Sequence, residues 1–385
     1  LDASRPTRSN SIDLVRFGAA FLVVGGHFFL SGVHPVNRYP TFVQKIITFL
    51  FQNGTYGVTA FFVVSGFLIT QMLVGPLRKL DELDLKKFYV TRAARIIPLL
   101  SLIVLIAIPI AFIPQADDPG YYNPFWSGPG GYSPAFGFSI ATFTFNWFLI
   151  LKKPIMQIGL QWALLWSLAV EEQFYLVYPW VVRWSRSRKR LSYLLGLVVL
   201  SGPLFRFGVF LWAPGRFDLS YNASFAAFDQ LAIGALSFLA FEKIRAGASA
   251  QKFPGWLFAI LGVIIFFIVY LQTKPVNTAQ NILAPTFLAS ACGLFILGGL
   301  CSTLEHLPFL RVLSFPGRLS YGFYLWHCIL LMVLWPFVLK AGHWAGPLLF
   351  ILAVLLWSEA SYRFFEIPAN RHIRKWFNLP PSRSL

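Results

Sequence analysis

The chain has 385 residues, of which 57% are hydrophobic, 18% aromatic and only 12% charged. Soluble domains carry about twice that charged fraction, so no part of it reads as a soluble domain, and the period-two alternation of a membrane β-barrel is missing. A net charge of +17 raises the question of nucleic acid, but the basic residues sit in short segments between apolar runs, where they set membrane orientation; membrane lipid is the expected surrounding, and no nucleic-acid partner is.

Apolar runs near 20 residues recur from end to end, long enough to cross hydrocarbon as helices. Ten spans are read, near 12–31, 55–75, 96–113, 157–182, 191–212, 225–242, 253–272, 281–301, 319–340 and 345–367. The fold class is all-α integral membrane, a bundle of about ten transmembrane helices forming one polytopic domain over 1–385. With the N-terminus inside, about three quarters of the 32 Lys and Arg fall on the cytoplasmic side, which places both termini there. The first run carries Arg16 and His27 and lacks a small-residue cleavage site, so it is expected to remain as a span.

Residues 136–151 are also apolar, but counting them as a span would put the basic run 183–190 outside. They are read as re-entrant or interfacial, packed against protein. Residues 114–135 form the longest external loop, and 42–51 are too short to span. Pro109, Pro203, Pro285 and Pro336 predict kinks. Cys292, Cys301 and Cys328 lie in apolar runs with neither metal-ligand spacing nor a disulfide framework, so packed thiols and no metal site are expected.

Ionisable residues at membrane depth are functional candidates, because lipid tolerates them only with partners. Arg16 and His27 are eleven positions apart, close to three helical turns, so they share a face about 16 Å apart along the axis. Arg92 and Arg95 (i, i+3) open the third span beside Lys86 and Lys87, and arginine forks suit phosphate oxygens. In the fourth span Ser167, Glu171 and Tyr175 are spaced i, i+4, i+8 and form one polar stripe, next to Trp166. Glu172 is turned about 100° away. In the ninth span Ser320, Tyr324 and His327 share a face. Arg206, Asp229 and Glu359 are further intramembrane charges for which the sequence shows no partner.

These residues describe a bundle with a basic cytoplasmic mouth and a histidine and a glutamate deeper in. Histidine is the side chain best suited to general base work near neutral pH, and no activated Ser or Cys elbow is visible. A transferase with a phosphate-rich donor entering from inside uses every part. A sugar or lipid transporter using the same charges as a substrate path is the alternative from another class.

The motifs resemble one family. Residues 11–16 through His27, residues 57–68, the Arg92-x-x-Arg95 pair, residues 166–175, Ser320 through His327, and residues 366–371 match, in order, the signatures of the membrane-bound acyltransferase-3 family. That family is best known for O-acetylating cell-surface polysaccharides, lipopolysaccharide and peptidoglycan, and some members acylate macrolides. The resemblance implies His27 as catalytic base, with Glu171 orienting or charge-balancing it or holding the acceptor. It implies Arg16, Arg92 and Arg95 as binders of acyl-CoA. Trp166, Ser167, Tyr175, Tyr324 and His327 are then expected to line the acceptor site. The co-substrate is acyl-CoA, most simply acetyl-CoA, with no tightly bound cofactor. The acceptor is a cell-envelope carbohydrate hydroxyl, or a macrolide-type product, and the location is the bacterial cytoplasmic membrane. One departure is Ala227, where many members have arginine. The chain resembles the members that lack an extracytoplasmic hydrolase-like domain.

Overall fold

The computed structural model describes residues 9–30, 36–75, 80–111, 133–152, 162, 164–247, 253–274 and 277–380. Among these no strand occurs, and ten long helices run back and forth: α1 Asn10–Leu30, α2 Tyr56–Val74, α3 Leu85–Ala111, α4 Leu165–Ser185, α5 Arg188–Trp212, α6 Phe228–Ala246, α7 Gly255–Gln272, α8 Ala284–Leu300, α9 Ser320–Lys340 and α10 Gly342–Ser361. In hydrocarbon every backbone amide must be paired within the protein, and helices do this within a single segment. Eight of the helical stretches are long and apolar enough to cross a membrane. The two that fall short are α4, with Glu171, Glu172 and Arg183, and α6, with Asp229, Glu242, Lys243 and Arg245. This is a multi-pass membrane protein.

Helix α2 sits at the centre. It is apolar on all sides, and its residues from Tyr56 to Val74 are mostly buried. The contact with α6 is close, because a Cβ added at Gly66 would collide with the Leu231 carbonyl and one at Gly234 with that of Val63. Small residues facing each other in this way are how membrane helices approach closely without a hydrophobic driving force. Helices α5 and α7 lie outside and turn Leu200, Leu204, Phe207, Ile260, Ile264 and Phe267 outward. Tight turns keep chain neighbours antiparallel. Arg186 ends α4 in the left-handed region (φ 57°), and the Ser187 hydroxyl caps α5 by accepting from the Arg190 amide at 3.2 Å.

Three details depart from the sequence-based boundaries. Helix α3 begins at Leu85, not near 96, so Arg92 and Arg95 lie two and three turns inside a helix instead of at its opening. Pro285 occupies the first turn of α8, where its missing N–H costs nothing, and so starts that helix without kinking it. The fourth long helix begins at Leu165, and residues 157–161 of the expected span lie outside the described residues, as do 114–132 of the expected loop.

The apolar piece at 136–151 folds as two helices, Pro134–Ala141 and Phe145–Lys152, broken at Phe143 (φ 53°). Each is about 12 Å long, too short to span. They pack against protein. Phe136 meets Trp162 edge-on at 5.1 Å, and buried Asn146 donates to the Ser224 hydroxyl at 3.0 Å and accepts from the Gln173 side-chain amide at 2.9 Å. Thr41–Phe51 is an eleven-residue helix, again short of a span.

Candidate functional site

Two cavities enter the bundle from opposite faces. The first, about 490 Å³, lies on the face where α1, α3 and α9 begin. Arg16, Arg92, Arg95, Ser167, Glu171, Tyr175, Ser320 and Tyr324 all line it. The Ser167–Glu171–Tyr175 stripe thus faces one space, as its 3.6-residue period requires. The second, about 230 Å³, lies on the other face and is lined by His27, Trp166, Tyr221, Gly54, Thr55 and Leu164 among others. Val58 and Tyr324 line both. They form the septum where the two spaces come nearest.

The first cavity is densely charged. Arg16 Nε donates to the Ser320 hydroxyl at 3.0 Å, and Arg16 Nη1 lies 3.4 Å from Asp13. The Arg92 guanidinium stacks over the Tyr175 ring, 4.2 Å from its centre, and feels both Glu171 and Glu172. Tyr175 donates to Glu171 at 3.2 Å and also bonds the Ser65 hydroxyl. Arg95 feels the like charges of Arg16 and Arg92 and the opposite charge of Glu366, which lies at the end of a π-helical turn, Tyr362–Glu366. Two buried atoms of residues that line it, Arg92 Nε and Arg318 Nε, have no hydrogen-bond partner among the described residues. Buried polar atoms are normally paired, so this wall has binding capacity left over.

The histidines lie toward the other face. His27 Nδ1 is 2.8 Å from His327 Nε2, with nearly parallel rings whose centres are 5.1 Å apart. His327 is fully buried and lines neither cavity; its ring sits behind that of His27. Trp166 also belongs to the second cavity, its ring centre 5.0 Å from that of Tyr221. One helical step of about 100° separates it from Ser167, which explains why adjacent residues serve different cavities. The residues expected to surround one site are therefore divided: Arg16, Arg92, Arg95, Glu171, Ser167 and Tyr175 on one side, His27 and Trp166 on the other, and Tyr324 between. The Tyr324 hydroxyl is held by the Ser167 hydroxyl at 2.9 Å and the Leu164 carbonyl at 3.2 Å.

The three further charges all have partners. Arg206 and Asp229 form an ion pair at 2.8 Å with both side chains fully buried. Glu359 accepts from Arg318 at 2.7 Å and pairs with Arg363. Arg318 lines the first cavity.

The family model described as an acyltransferase domain matches residues 9–358. The chain belongs to the membrane-bound acyltransferase-3 family. Similar proteins within this acyltransferase family include the peptidoglycan O-acetyltransferase OatA of Listeria monocytogenes, 28% identical over 348 residues that cover 83% of this chain and 52% of that protein. The O-acetyltransferase OatA of Staphylococcus aureus is 26% identical over 360 residues, 86% of this chain and 55% of its own. A putative O-acetyltransferase of the same species is 23% identical over 345 residues. The chain spans about half the length of these curated relatives. No solved structure matches it.

Sequence reasoning passed over two residues that line these cavities, Ser65 in the first and Tyr221 in the second. Ser65 had a signal, being a hydroxyl in the middle of an apolar helix. Tyr221 had little, since its short helix, Phe217–Asn222, reads as a loop.

Proposed function

We propose that this chain is an integral-membrane O-acyltransferase. It moves an acyl group, most simply acetyl, from cytoplasmic acyl-CoA to a hydroxyl of a cell-envelope carbohydrate at the opposite face. The observation that carries the reading is the pair of cavities meeting at Val58 and Tyr324, one lined by arginines and one by His27. The positive-inside rule assigns the arginine-lined face to the cytoplasm, where acyl-CoA is available. Arg92 and Arg95 meet donor phosphates, since guanidinium forks match phosphate oxygens. The thin pantetheine arm runs past Arg16 to the septum. The Trp166–Tyr221 wall presents aromatic faces, whose negative π-clouds suit the C–H edges of a sugar ring. The relatives named as peptidoglycan or O-acetyltransferases support this class of acceptor.

The chemistry balances without a covalent enzyme intermediate. His27 takes the proton of the acceptor hydroxyl as that oxygen attacks the thioester carbonyl carbon. The C–S bond breaks, and the CoA thiolate leaves and collects the proton from His27. The products are an O-acyl ester and free CoA thiol, with His27 neutral again.

The test is protein in lipid nanodiscs given radiolabelled acetyl-CoA and peptidoglycan muropeptides. His27→Ala is expected to lower transfer about 1,000-fold while CoA still binds. A variant that kept near-normal turnover would overturn the assignment of His27. Label crossing a vesicle without ester formation would favour transport.

A further inference from the structure

The two histidines and a backbone carbonyl form a chain of hydrogen bonds whose direction can be worked out. His327 Nδ1 lies 2.6 Å from the carbonyl oxygen of Tyr324, one turn earlier in α9. A carbonyl can only accept, so Nδ1 of His327 carries the proton. A neutral imidazole has one proton, so His327 Nε2 is bare and can only accept. Its neighbour at 2.8 Å is Nδ1 of His27, which must then be the donor. With its proton on Nδ1, a neutral His27 has its lone pair on Nε2. Cys328 Sγ stands 3.1 Å from the same His327 nitrogen; that nitrogen has one lone pair, which the closer and stronger N–H donor takes, so the weakly donating thiol is at most the minor branch of a shared bond.

We infer that His327 is the positioning residue of the transfer reaction: by accepting from Nδ1 it fixes the tautomer and orientation of His27, so that Nε2 is the nitrogen that takes the acceptor proton. The inference rests on His27 as base. In a serine-hydrolase triad a carboxylate holds the catalytic histidine in this way. Here a neutral imidazole does so, and at membrane depth it avoids the heavy desolvation of a buried carboxylate. The arrangement also holds through the proton transfer. When Nε2 of His27 gains a proton, its Nδ1–H still donates to His327, now as a charge-assisted bond, which is stronger than the neutral one. The Tyr324 carbonyl anchors the far end, so the residue at the septum also sets the polarity of the chain.

Two variants separate positioning from packing. His327→Phe keeps a ring of similar volume between the helices but has no acceptor. His327→Gln is a poorer fit that can place an amide oxygen near the former Nε2. In nanodiscs with acetyl-CoA and muropeptides, His327→Phe is expected to lower kcat about 100-fold with the KM for acetyl-CoA unchanged, and His327→Gln to recover most of it. Normal turnover in His327→Phe, or a Gln variant worse than the Phe variant, would overturn the inference. A second readout needs no acceptor. Carbethoxylation of His27, which lines the second cavity, by diethylpyrocarbonate, followed by mass spectrometry, reports its unprotonated nitrogen. Its rate is expected to fall in the order parent, Gln variant, Phe variant, and an unchanged rate would overturn the inference. His27, His327 and Cys328 also present three ligand atoms within 4.8 Å of one another. An equimolar metal ion in purified protein that is lost in His327→Phe would overturn it, because a ligated Nδ1 cannot carry the proton. Turnover surviving His27→Ala would remove the proposed base itself, whereas turnover lost in His27→Ala but kept in His327→Phe would remove only the role of His327.

Discussion

Two arginine sites in this bundle show how similar residues reach opposite ends. Arg206 is 1% exposed and uses every donor. It donates to the carbonyls of Ile282 and Ala226, to both oxygens of Asp229 and to the Thr286 hydroxyl, and Thr286 in turn donates to Asp229 at 2.6 Å. It ties α5, α6 and α8 together and lines neither of the two cavities. Arg92 lies against the face of Tyr175, near two carboxylates, with a buried Nε that no described residue satisfies. The first site is closed and the second is open. At membrane depth charge alone does not mark function; unspent hydrogen-bonding capacity beside a cavity does.

The comparison breaks most visibly at the closed site. Asp229→Ala leaves the Arg206 charge buried and uncompensated, and is expected to destabilise the protein by about 3–5 kcal/mol, read as early unfolding in detergent micelles. Stability within 1 kcal/mol of the parent on that scale would mean the site is not closed. A smaller effect, of a different kind, is expected at the open site. Arg92→Ala combined with Arg95→Ala should weaken CoA binding by about 100-fold, two charged hydrogen bonds' worth, with the melting temperature held; unchanged binding would reduce the pair to topogenic charges. The smallest effect is expected when both partners of the closed site are exchanged together. Arg206→Met with Asp229→Leu should restore most of the stability lost in Asp229→Ala and leave transfer unaltered, while a loss of transfer in a stably folded double variant would assign Arg206 to the reaction after all.

Much of the architecture was legible because lipid restricts the choices. A span needs about 20 apolar residues and a helical backbone, so ten long helices could be read from hydropathy and loop charge. The Ser167–Glu171–Tyr175 stripe was legible because helical period alone puts those residues on one face. The start of α3 was not, since Lys86, Lys87, Arg92 and Arg95 interrupt the hydropathy, and only the assembled bundle shows α9 and the terminal helix Ile367–Trp376 packing against the helix that carries them. Pairings between helices were illegible for the same reason. Arg206 with Asp229, Arg318 with Glu359, and His27 with His327 are separated by 23, 41 and 300 residues, and no local period connects them. The division of one expected site into two cavities also depends on where Tyr324 falls between α2 and α4, which only the assembled bundle decides.

A membrane that stores energy as an ion gradient cannot tolerate a continuous watery channel. Clefts sunk from both faces toward the same point would become one if nothing stood between them. Val58 and the Tyr324 ring, its hydroxyl latched to Ser167 and Leu164, stand at that point. Water and ions meet a partition there, while the slender acyl arm of the proposed donor has only those two side chains to displace. The septum therefore serves as an electrical insulator as much as a wall of the site, and a small residue in place of Tyr324 would bring a leak of protons as well as a change in turnover.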